Sequence, residues 1–310
     1  MNKKRKFLIS LAIIIICMIS YMIIGYQSSQ PNRENYDLPT SQLKNKQWDE
    51  IFNLNSQIDN FKILNTGSVK VPLEGMLNID KLKNNHGLSE FLWVDVFSFL
   101  FHHKEKGWFM IDTGLDSTFQ KKGNIKGVLA NNFIKETTQK KYQNIASLIK
   151  KENAKINGIF FTHLHGDHTA GLPEIDRSIP KIIGEGETIF NMPLLYSSNH
   201  LDKKDTLLEI DNNRGITIAP LESVIDIFGD GSFLGINTPG HSPGHLSYLI
   251  NTNKGPILLT GDASHTKYGF NNKIEPGWVE DKGLAEKSLH QLIKFHEKHP
   301  EVRIIYGHEQ

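Results

Sequence analysis

Residues 163 to 168 carry the densest group of potential metal ligands in the chain and read His-Leu-His-Gly-Asp-His. Imidazole titrates near neutral pH, and packing several such rings beside a carboxylate is costly unless a cation uses their lone pairs. The types and spacing of these side chains therefore predict a metal site with nitrogen and oxygen ligands. A polar surface loop is the simpler interpretation, but it does not account for so dense a cluster.

The residues before this cluster indicate which element positions it. Residues 156–162 (INGIFFT) are apolar, with β-branched and aromatic members, which is typical of a buried strand. Because side chains alternate along an extended chain, His163 and His165 point the same way. Asp167 and His168 then fall in the following turn. We interpret the group as two ligands for one ion and two for a neighbouring ion.

Three further polar residues also follow apolar segments that are typical of strands. They are His241 after GINT, Asp262 after PILLT and His308 after VRIIY. Ligand sites gather at the C-terminal ends of strands in α/β architectures. One histidine after a strand is weak evidence, but the three residues together with the first cluster predict one shared site.

The combined pattern resembles that of the metallo-β-lactamase superfamily. It consists of His-x-His-x-Asp-His, then His241 in TPGHSPGH, Asp262 in LLTGDA and His308 in IIYGHE. The segment FMIDTG, which contains Asp112, is similar to an early strand motif whose aspartate supports the metal loop in that family. The resemblance extends from about residue 60 to residue 310. It implies an α/β fold, a four-layer αβ/βα sandwich with two sheets inside and helices outside.

Carried over position by position, the resemblance implies a centre with two divalent ions and favours Zn²⁺ for both. The first ion would be bound by three imidazoles: His163, His165 and His241. The second would be bound by a carboxylate and two imidazoles: Asp167, His168 and His308. Asp262 would bridge the two ions. Relatives that reduce oxygen or nitric oxide have an acidic residue at the place of His165, so this histidine favours hydrolysis over redox chemistry.

The same resemblance implies a reaction. Two ions about 3.5–4 Å apart would hold a bridging hydroxide, because metal lowers the pKa of water towards about 7. This hydroxide would attack a lactone or ester carbonyl. Asp167 would pass a proton to the leaving group and is therefore a candidate catalytic residue.

The substrate class is indicated by residues 258–267 (LLTGDASHTK), which resemble the N-acyl homoserine lactonases most. Those enzymes commonly have a tyrosine three residues after the bridging aspartate, where this chain has His265. We list His265 as a second candidate catalytic residue that could donate a hydrogen bond to substrate. Tyr268 could supply the missing phenol, although an ordinary surface aromatic residue is the simpler interpretation.

Other functions use the same kind of centre. A phosphodiesterase and a glyoxalase II-like thioesterase are the main alternatives, and β-lactam cleavage is a third. A phosphodiesterase would need basic residues near the ions, and only Lys267 lies close to a ligand in the sequence. A non-catalytic scaffold protein on this fold is a different class, but such relatives usually lose ligands.

Composition limits the partners. The chain has 310 residues with 35 basic and 34 acidic side chains, so a general attraction to nucleic acid is not expected. The partner that we expect is a small-molecule substrate, and the oligomeric state is left open. The chain has a single cysteine, Cys17, so it forms no internal disulfide and offers no thiolate to the metal site.

The N-terminus predicts a membrane anchor. Basic residues in positions 1–6 precede an uncharged run from Phe7 to Tyr26, and about 20 apolar residues span a bilayer core as a helix. The basic stub favours a cytoplasmic N-terminus, which would place the catalytic domain outside the cytoplasm at the cell membrane. A cleaved signal peptide, which would make the protein secreted, and a cytosolic protein are the alternatives. We expect a polar linker over residues 27–58 and a hydrolase domain over residues 59–310.

Overall fold

The strands that precede the predicted ligands belong to two sheets that stack face to face. The computed structural model describes residues 3–28, 31–84, 87–189, 191–192, 195–197 and 200–310. Its helices are α1 (Lys3–Ser28), α2 (Trp48–Phe52), α3 (Leu73–Met76), α4 (Ala130–Phe133), α5 (Ile145–Glu152), α6 (Gly166–Thr169), α7 (Lys267–Asn272) and α8 (Lys282–Lys298). Its first strands are β1 (Asn32–Asn35), β2 (Ile58–Pro72), β3 (Phe91–His103), β4 (Gly107–Ile111), β5 (Glu136–Thr138), β6 (Ile156–Phe160), β7 (Lys181–Gly184) and β8 (Asn191–Met192). The remaining strands are β9 (Tyr196–Ser197), β10 (Thr206–Ile210), β11 (Ile216–Ile218), β12 (Leu221–Asp226), β13 (Phe233–Asn237), β14 (Leu246–Thr252), β15 (Gly255–Leu259) and β16 (Arg303–Ile305).

The first sheet has the strand order β1-β10-β7-β6-β4-β3-β2, with β5 paired to β2. Its strands are parallel from β1 to β4 and antiparallel from β4 to β2. The second sheet runs from β11 through β12, β13, β14 and β15 to β16. A pairing of Thr252 with Ile58 joins the two sheets.

Aromatic and aliphatic side chains from both sheets fill the space between them. Phe101 and Phe160 of the first sheet pack against Phe233 of the second, with ring centroids 4.7 and 4.9 Å apart. The outer face of the first sheet packs with α5 and that of the second with α8. The predicted four-layer αβ/βα sandwich is therefore confirmed for this part of the chain.

The helix α8 shows how sequence pattern and packing agree in the outer layer. Asp281 accepts a hydrogen bond from the Leu284 amide and so satisfies a free donor at the N-terminus of the helix. The buried residues of α8 recur at helical spacing and include Ala285, Leu289 and Leu292. This apolar stripe covers the second sheet.

Residues 31–58, most of the segment expected to be a polar linker, pack against the sandwich. The strand β1 pairs with β10 at the edge of the first sheet. Leu43, Trp48 and Ile51 are buried, and the Trp48 indole donates to the carbonyl of Ile218 over 3.2 Å. The polar composition conceals this behaviour, because a few widely spaced apolar residues are enough to anchor the segment to a neighbouring surface.

The predicted transmembrane helix over residues 7–26 is wrong. Within the described part of the chain, no helix combines the length and apolar character that a bilayer crossing requires. The helix α1 begins at Lys3 and includes the charged side chains from Lys4 to Lys6, which the core of a bilayer disfavours. Residues 1–2 of the predicted cytoplasmic stub lie outside the described residues, and the predicted location of the domain stays a prediction.

Candidate metal centre

The predicted ligands lie in loops that follow the C-terminal ends of strands and converge at one end of the sandwich. His163 to His168 follow β6, and the last three of these residues form the start of α6. The other loops follow β13, β15 and β16 and carry His241, Asp262 and His308. All of these residues are buried except His165 and Asp167, which are half-buried. The structure therefore brings together every residue that the sequence proposes as a metal ligand.

Asp262 lies at the middle of the cluster and has imidazoles on both sides. Its Oδ2 atom lies 3.6 Å from Nε2 of His163 and 3.3 Å from Nε2 of His241. Its Oδ1 atom lies 3.5 Å from Nε2 of His168 and 3.6 Å from Nε2 of His308. Two donors bound to one zinc ion at about 2.0–2.1 Å in a tetrahedral site are about 3.4 Å apart. The distances between these donor atoms therefore match two groups of ligands, each group surrounding the position of one ion.

The remaining two predicted ligands complete one group on each side of Asp262. Nδ1 of His165 lies 2.9 Å from Nε2 of His241 on the Oδ2 side. Oδ2 of Asp167 lies 3.4 Å from Nε2 of His308 on the Oδ1 side. Among the predicted ligands, donor atoms lie within 4.8 Å of one another in three sets: His163, His165 and His241; His163, His168 and Asp262; and Asp167, His168 and His308.

These residues suit a divalent cation because several of their donors are buried without a hydrogen bond. Among the described residues, Nε2 of His163, Nε2 of His168 and Oδ1 of Asp262 have no such partner. An unsatisfied buried polar atom costs about 1–3 kcal/mol, so a concentration of them needs an explanation. A set of imidazole and carboxylate donors is the one that zinc accepts. The donor chemistry and the unsatisfied atoms therefore fit metal ions.

Asp112 explains how the loop after β6 is held. Its carboxylate accepts hydrogen bonds from the amide and hydroxyl of Thr162, each over 2.8 Å, and from Nδ1 of His168 over 2.7 Å. Because Nδ1 carries the hydrogen, Nε2 of His168 remains free to bind an ion. The resemblance implied that Asp112 supports this loop, and the contacts show the atoms involved.

His308 and His245 are oriented by similar contacts. Nδ1 of His308 donates to the carbonyl of Asp95 over 2.8 Å, which turns Nε2 towards Asp262. Nε2 of His245 accepts a hydrogen bond from the backbone amide of Asp262 over 2.9 Å, and its Nδ1 donates to Thr238. Burial lowers the pKa of His245 to about 3, so the ring is neutral and can accept. His245 therefore positions the central aspartate and does not belong to the ligand set.

Glycine 307 allows the last strand to approach Asp262 closely. A Cβ atom on Gly307 would lie 2.5 Å from Oδ1 of Asp262, which is closer than such atoms come in proteins. The backbone at Gly261 has a φ of 51°, which is a left-handed conformation that favours glycine. These two glycines let neighbouring loops meet at the donor cluster.

Burial and charge act in opposite directions at the centre. Burial lowers the pKa of His163 and His241 well below the ordinary value, and neighbouring imidazoles lower it further. Burial also lowers the pKa of His168, but nearby carboxylates, Asp112 first, outweigh it and raise the pKa well above the ordinary value. Burial raises the pKa of Asp262, but the surrounding imidazoles, His265 first, hold it well below the usual range. Neutral His163 and His241 and an ionised Asp262 are the forms that bind metal.

Glu187 is a buried acid that the sequence analysis missed. It accepts hydrogen bonds from the Leu164 amide over 3.1 Å, the Ser242 hydroxyl over 2.6 Å and the Gly244 amide over 3.0 Å. It thereby ties the loop of His163 and His165 to the loop of His241. Burial raises its pKa to about 7. Its sequence signal is weak, because an acid that directly follows Gly184-Glu185-Gly186 looks like part of a solvated turn.

The two residues considered for substrate contact lie in different places. His265 is buried in the centre, with Nε2 3.0 Å from Oδ2 of Asp262 and Nδ1 3.0 Å from the carbonyl of Met76. Tyr268 lies in α7 and packs against an apolar cluster that includes Val69 and Phe119. It is not among the described residues that line the cavity beside the centre. Of the two, only His265 lies at the donor cluster.

A cavity of about 740 Å³ opens beside the donor cluster. At its base lie His165, Asp167, His241, Asp262, His265 and His308. Its walls are mostly apolar side chains: Val69, Val71, Met76, Val94, Ile125, Phe133, Ile134, Ile189, Tyr196, Trp278 and Val279. The ring of Phe133 packs against Tyr196 in a tilted arrangement and against Trp278 edge to face, with ring centroids 4.4 and 5.2 Å away. A space of this size accommodates a small organic ligand.

Comparison with known proteins gives the context of this site. Residues 92–308 match the model of the metallo-beta-lactamase superfamily. An N-acyl homoserine lactonase of a Bacillus species is 29% identical over 238 residues, which cover 76% of this chain and 89% of that protein. The N-acyl homoserine lactonase AttM of Agrobacterium fabrum is 29% identical over 164 residues, covering 50% of this chain and 59% of that protein.

A solved structure has the same fold. It is an N-acyl homoserine lactone hydrolase with the product N-hexanoyl-L-homoserine bound at its catalytic metal centre. The TM-score is 0.64 at 23% sequence identity, and the match covers 81% of this chain and 94% of that chain. The likeness therefore extends over nearly the whole sandwich.

Proposed function

The chain belongs to the metallo-β-lactamase superfamily and is a metal-dependent hydrolase, and on that premise we propose that it opens acylated lactones at a dinuclear metal centre. N-acyl homoserine lactones are the class that we expect. The observation that carries this proposal is the apolar cavity that ends at the donor cluster. Its apolar walls can contact an acyl chain while the ring carbonyl lies at the donor cluster.

The lining of the cavity favours a neutral substrate. The described residues that line it include the acids Asp167, Asp262 and Glu280 but neither lysine nor arginine. A phosphodiester carries a negative charge and would meet these acids without a basic side chain to bind it. A lactone with an apolar tail has no such charge. The names of the relatives agree with this assignment.

In this proposal, three imidazoles hold one ion, and Asp167 with two imidazoles holds the other. Asp262 is shared, and its two carboxylate oxygens face opposite groups. These residues would hold a pair of divalent ions, for which zinc suits the donors, and the bound metal would supply a hydroxide nucleophile and polarise the substrate carbonyl. Asp112, His245 and Glu187 position these groups through the contacts described above.

Asp167 is the group that we assign to proton transfer. It is half-buried, lines the cavity and lies on the side of the centre opposite His241. A carboxylate in this position can hold a proton and deliver it to the alkoxide that leaves when the ring opens.

A hydrolysis panel on the full zinc-loaded chain tests the proposed function. The panel compares N-acyl homoserine lactones of several chain lengths with an aryl ester, bis-p-nitrophenyl phosphate, a glutathione thioester and a cephalosporin. We expect the highest kcat/KM on a long-chain lactone, at least about tenfold above the phosphodiester. The chain with His163→Ala controls for contaminating hydrolases. A preference for the phosphodiester or the thioester by the same factor would overturn the proposal.

A further inference from the structure

The proposed reaction assigns no role to His265, although both of its ring nitrogens make close polar contacts. It lies in the turn between Asp262 and α7 and is 6% exposed. Its Nδ1 atom lies 3.0 Å from the carbonyl oxygen of Met76. A carbonyl only accepts hydrogen bonds, so Nδ1 must carry the hydrogen. In the neutral ring, Nε2 is then a bare lone pair.

This lone pair points at another acceptor. Nε2 of His265 lies 3.0 Å from Oδ2 of Asp262, and a carboxylate that is ionised only accepts. Two lone pairs at that distance repel each other unless a cation, either a proton on Nε2 or a metal ion, lies between them. His308 has the same pattern, because its Nδ1 donates to the Asp95 carbonyl and its Nε2 faces Oδ1 of the same carboxylate.

We propose that Nε2 of His265 is a further ligand of the ion on the Oδ2 side, an inference that rests on the dinuclear centre proposed above. The donor atoms of His241, Asp262 and His265 lie within 4.8 Å of one another, as do those of the other ligand groups. Two donors at right angles on one zinc ion are about 3.0 Å apart. The distance between Nε2 of His265 and Oδ2 of Asp262 is the same, 3.0 Å.

The additional ligand makes the two ions unequal. The ion on the Oδ2 side then has His265 in addition to His163, His165, His241 and Asp262. The ion on the Oδ1 side keeps Asp167, His168, His308 and Asp262. A catalytic ion needs an open position for water or substrate. With His265 as a ligand, the open position would lie at the Oδ1 side, next to Asp167, which is the residue assigned to proton transfer.

Two other roles for His265 give different signatures. An imidazolium would pair with Asp262 by charge, and a donor to substrate would keep a hydrogen on Nε2. Both leave Nε2 unbound to metal. NMR of the cadmium-loaded full chain with isotope-labelled histidine separates them, because only a bound nitrogen shows scalar coupling to cadmium. We expect coupling at Nε2 of His265 and none at its Nδ1.

Substitution supplies a second readout. His265→Asn retains an amide that can donate to the Met76 carbonyl and removes the ligand atom. We expect one cadmium-coupled imidazole fewer and, in chelator competition, a loss of at least about tenfold in affinity for one zinc ion only. His290→Asn in α8, outside the donor cluster, should remove an uncoupled resonance and leave both affinities unchanged.

The outcomes separate this inference from the proposed function. If His265 shows no coupling while His163 and His168 do, the ligand assignment is wrong and the dinuclear centre remains. The same holds if the resonance lost in His265→Asn has no coupling. If no imidazole couples to cadmium in the parent chain, the dinuclear centre is wrong as well. Assignment of His265 in the parent chain keeps the test valid even if the variant does not fold.

Discussion

The donor cluster and the cavity beside it are built in different ways. In the cluster, each side chain is fixed by short polar contacts, such as the 2.7 Å contact of His168 with Asp112 and the 2.8 Å contact of His308 with Asp95. The cavity walls come from separate segments in β2, β3, α4 and residues 277–280, and they meet through apolar packing. Trp278 on that wall is 37% exposed.

This difference predicts where substitutions act. A hydrogen-bonded cluster has one arrangement, so the loss of one member should affect metal binding and every substrate alike. An apolar wall tolerates changes of shape, so a substitution there should affect substrates according to the length of their acyl chain. The chemistry and the substrate preference should therefore be separable by mutation.

The largest effect is expected in the cluster. His163→Ala removes a buried ligand between both donor groups, so the chain should lose metal and essentially all hydrolytic activity on every lactone. Metal content per chain and kcat/KM measure this. His290→Ala, in α8, is the matched control and should retain both. Normal metal content in His163→Ala would show that the cluster is not a metal centre.

A smaller effect is expected from substitution of Asp167, the residue to which we assign proton transfer. Asp167→Asn retains a ligand oxygen but can no longer carry the proton, so kcat should fall about 10²–10⁴-fold at similar metal content. Stopped-flow turnover and metal analysis on the same sample measure this. If kcat stays near the parent value with both ions present, Asp167 is a ligand without a role in proton transfer.

The cavity wall should give a selective effect. Ile134 is half-buried on the wall, and Ile134→Trp fills part of the cavity. Since each buried methylene contributes about 0.8 kcal/mol, kcat/KM for a decanoyl lactone should fall roughly tenfold to a hundredfold. The value for a butanoyl lactone should change little. Val128→Trp, at a residue that is 77% exposed and outside the cavity lining, is the control. Equal losses of kcat/KM on both lactones would show that the acyl chain does not bind in this cavity.

The smallest effect concerns stability and pH. The pKa of Glu187 is about 7 in the fold, compared with 4.5 in the unfolded chain, so between these values the fold binds a proton that the unfolded chain does not. The free energy of unfolding therefore falls as pH rises from 4.5 through 7, by about 3 kcal/mol from this group.

Glu187→Gln tests this dependence. The variant should be destabilised by about 1–3 kcal/mol at low pH, because its amide cannot accept all three hydrogen bonds. The deficit should shrink as the pH rises towards 8, and urea unfolding of the metal-free chain measures it. Glu185→Gln, at an exposed position, should follow the parent at each pH. A deficit that does not change with pH would show that Glu187 does not titrate in this range.

Sequence patterns anticipated the elements that carry the ligands. The strands before His163, Asp262 and His308 were expected from apolar runs, and each lies where it was predicted within a few residues. These features depend on local periodicity, which a single sequence contains. The transmembrane helix was also inferred from a local run, and there the inference was wrong.

Other features depend on contacts between distant residues. Glu187 touches loops on both sides of the centre, and Trp48 bonds to a carbonyl 170 residues later in the chain. The cavity walls join β2 and β3 to residues near Trp278. Neither composition nor spacing reports such contacts, because side chains far apart in sequence meet only when the sheets stack.

The sequence by itself therefore determined the donor chemistry of this protein, because ligand identity and spacing after strands are local properties. The resemblance of its motifs to those of a known superfamily also anticipated the layers of the sandwich. Only the tertiary structure decided which imidazoles face which oxygen of Asp262, and that His265 lies within the same cluster. It also decided that an apolar cavity lies beside the centre, because a cavity is the space that packed elements leave between them.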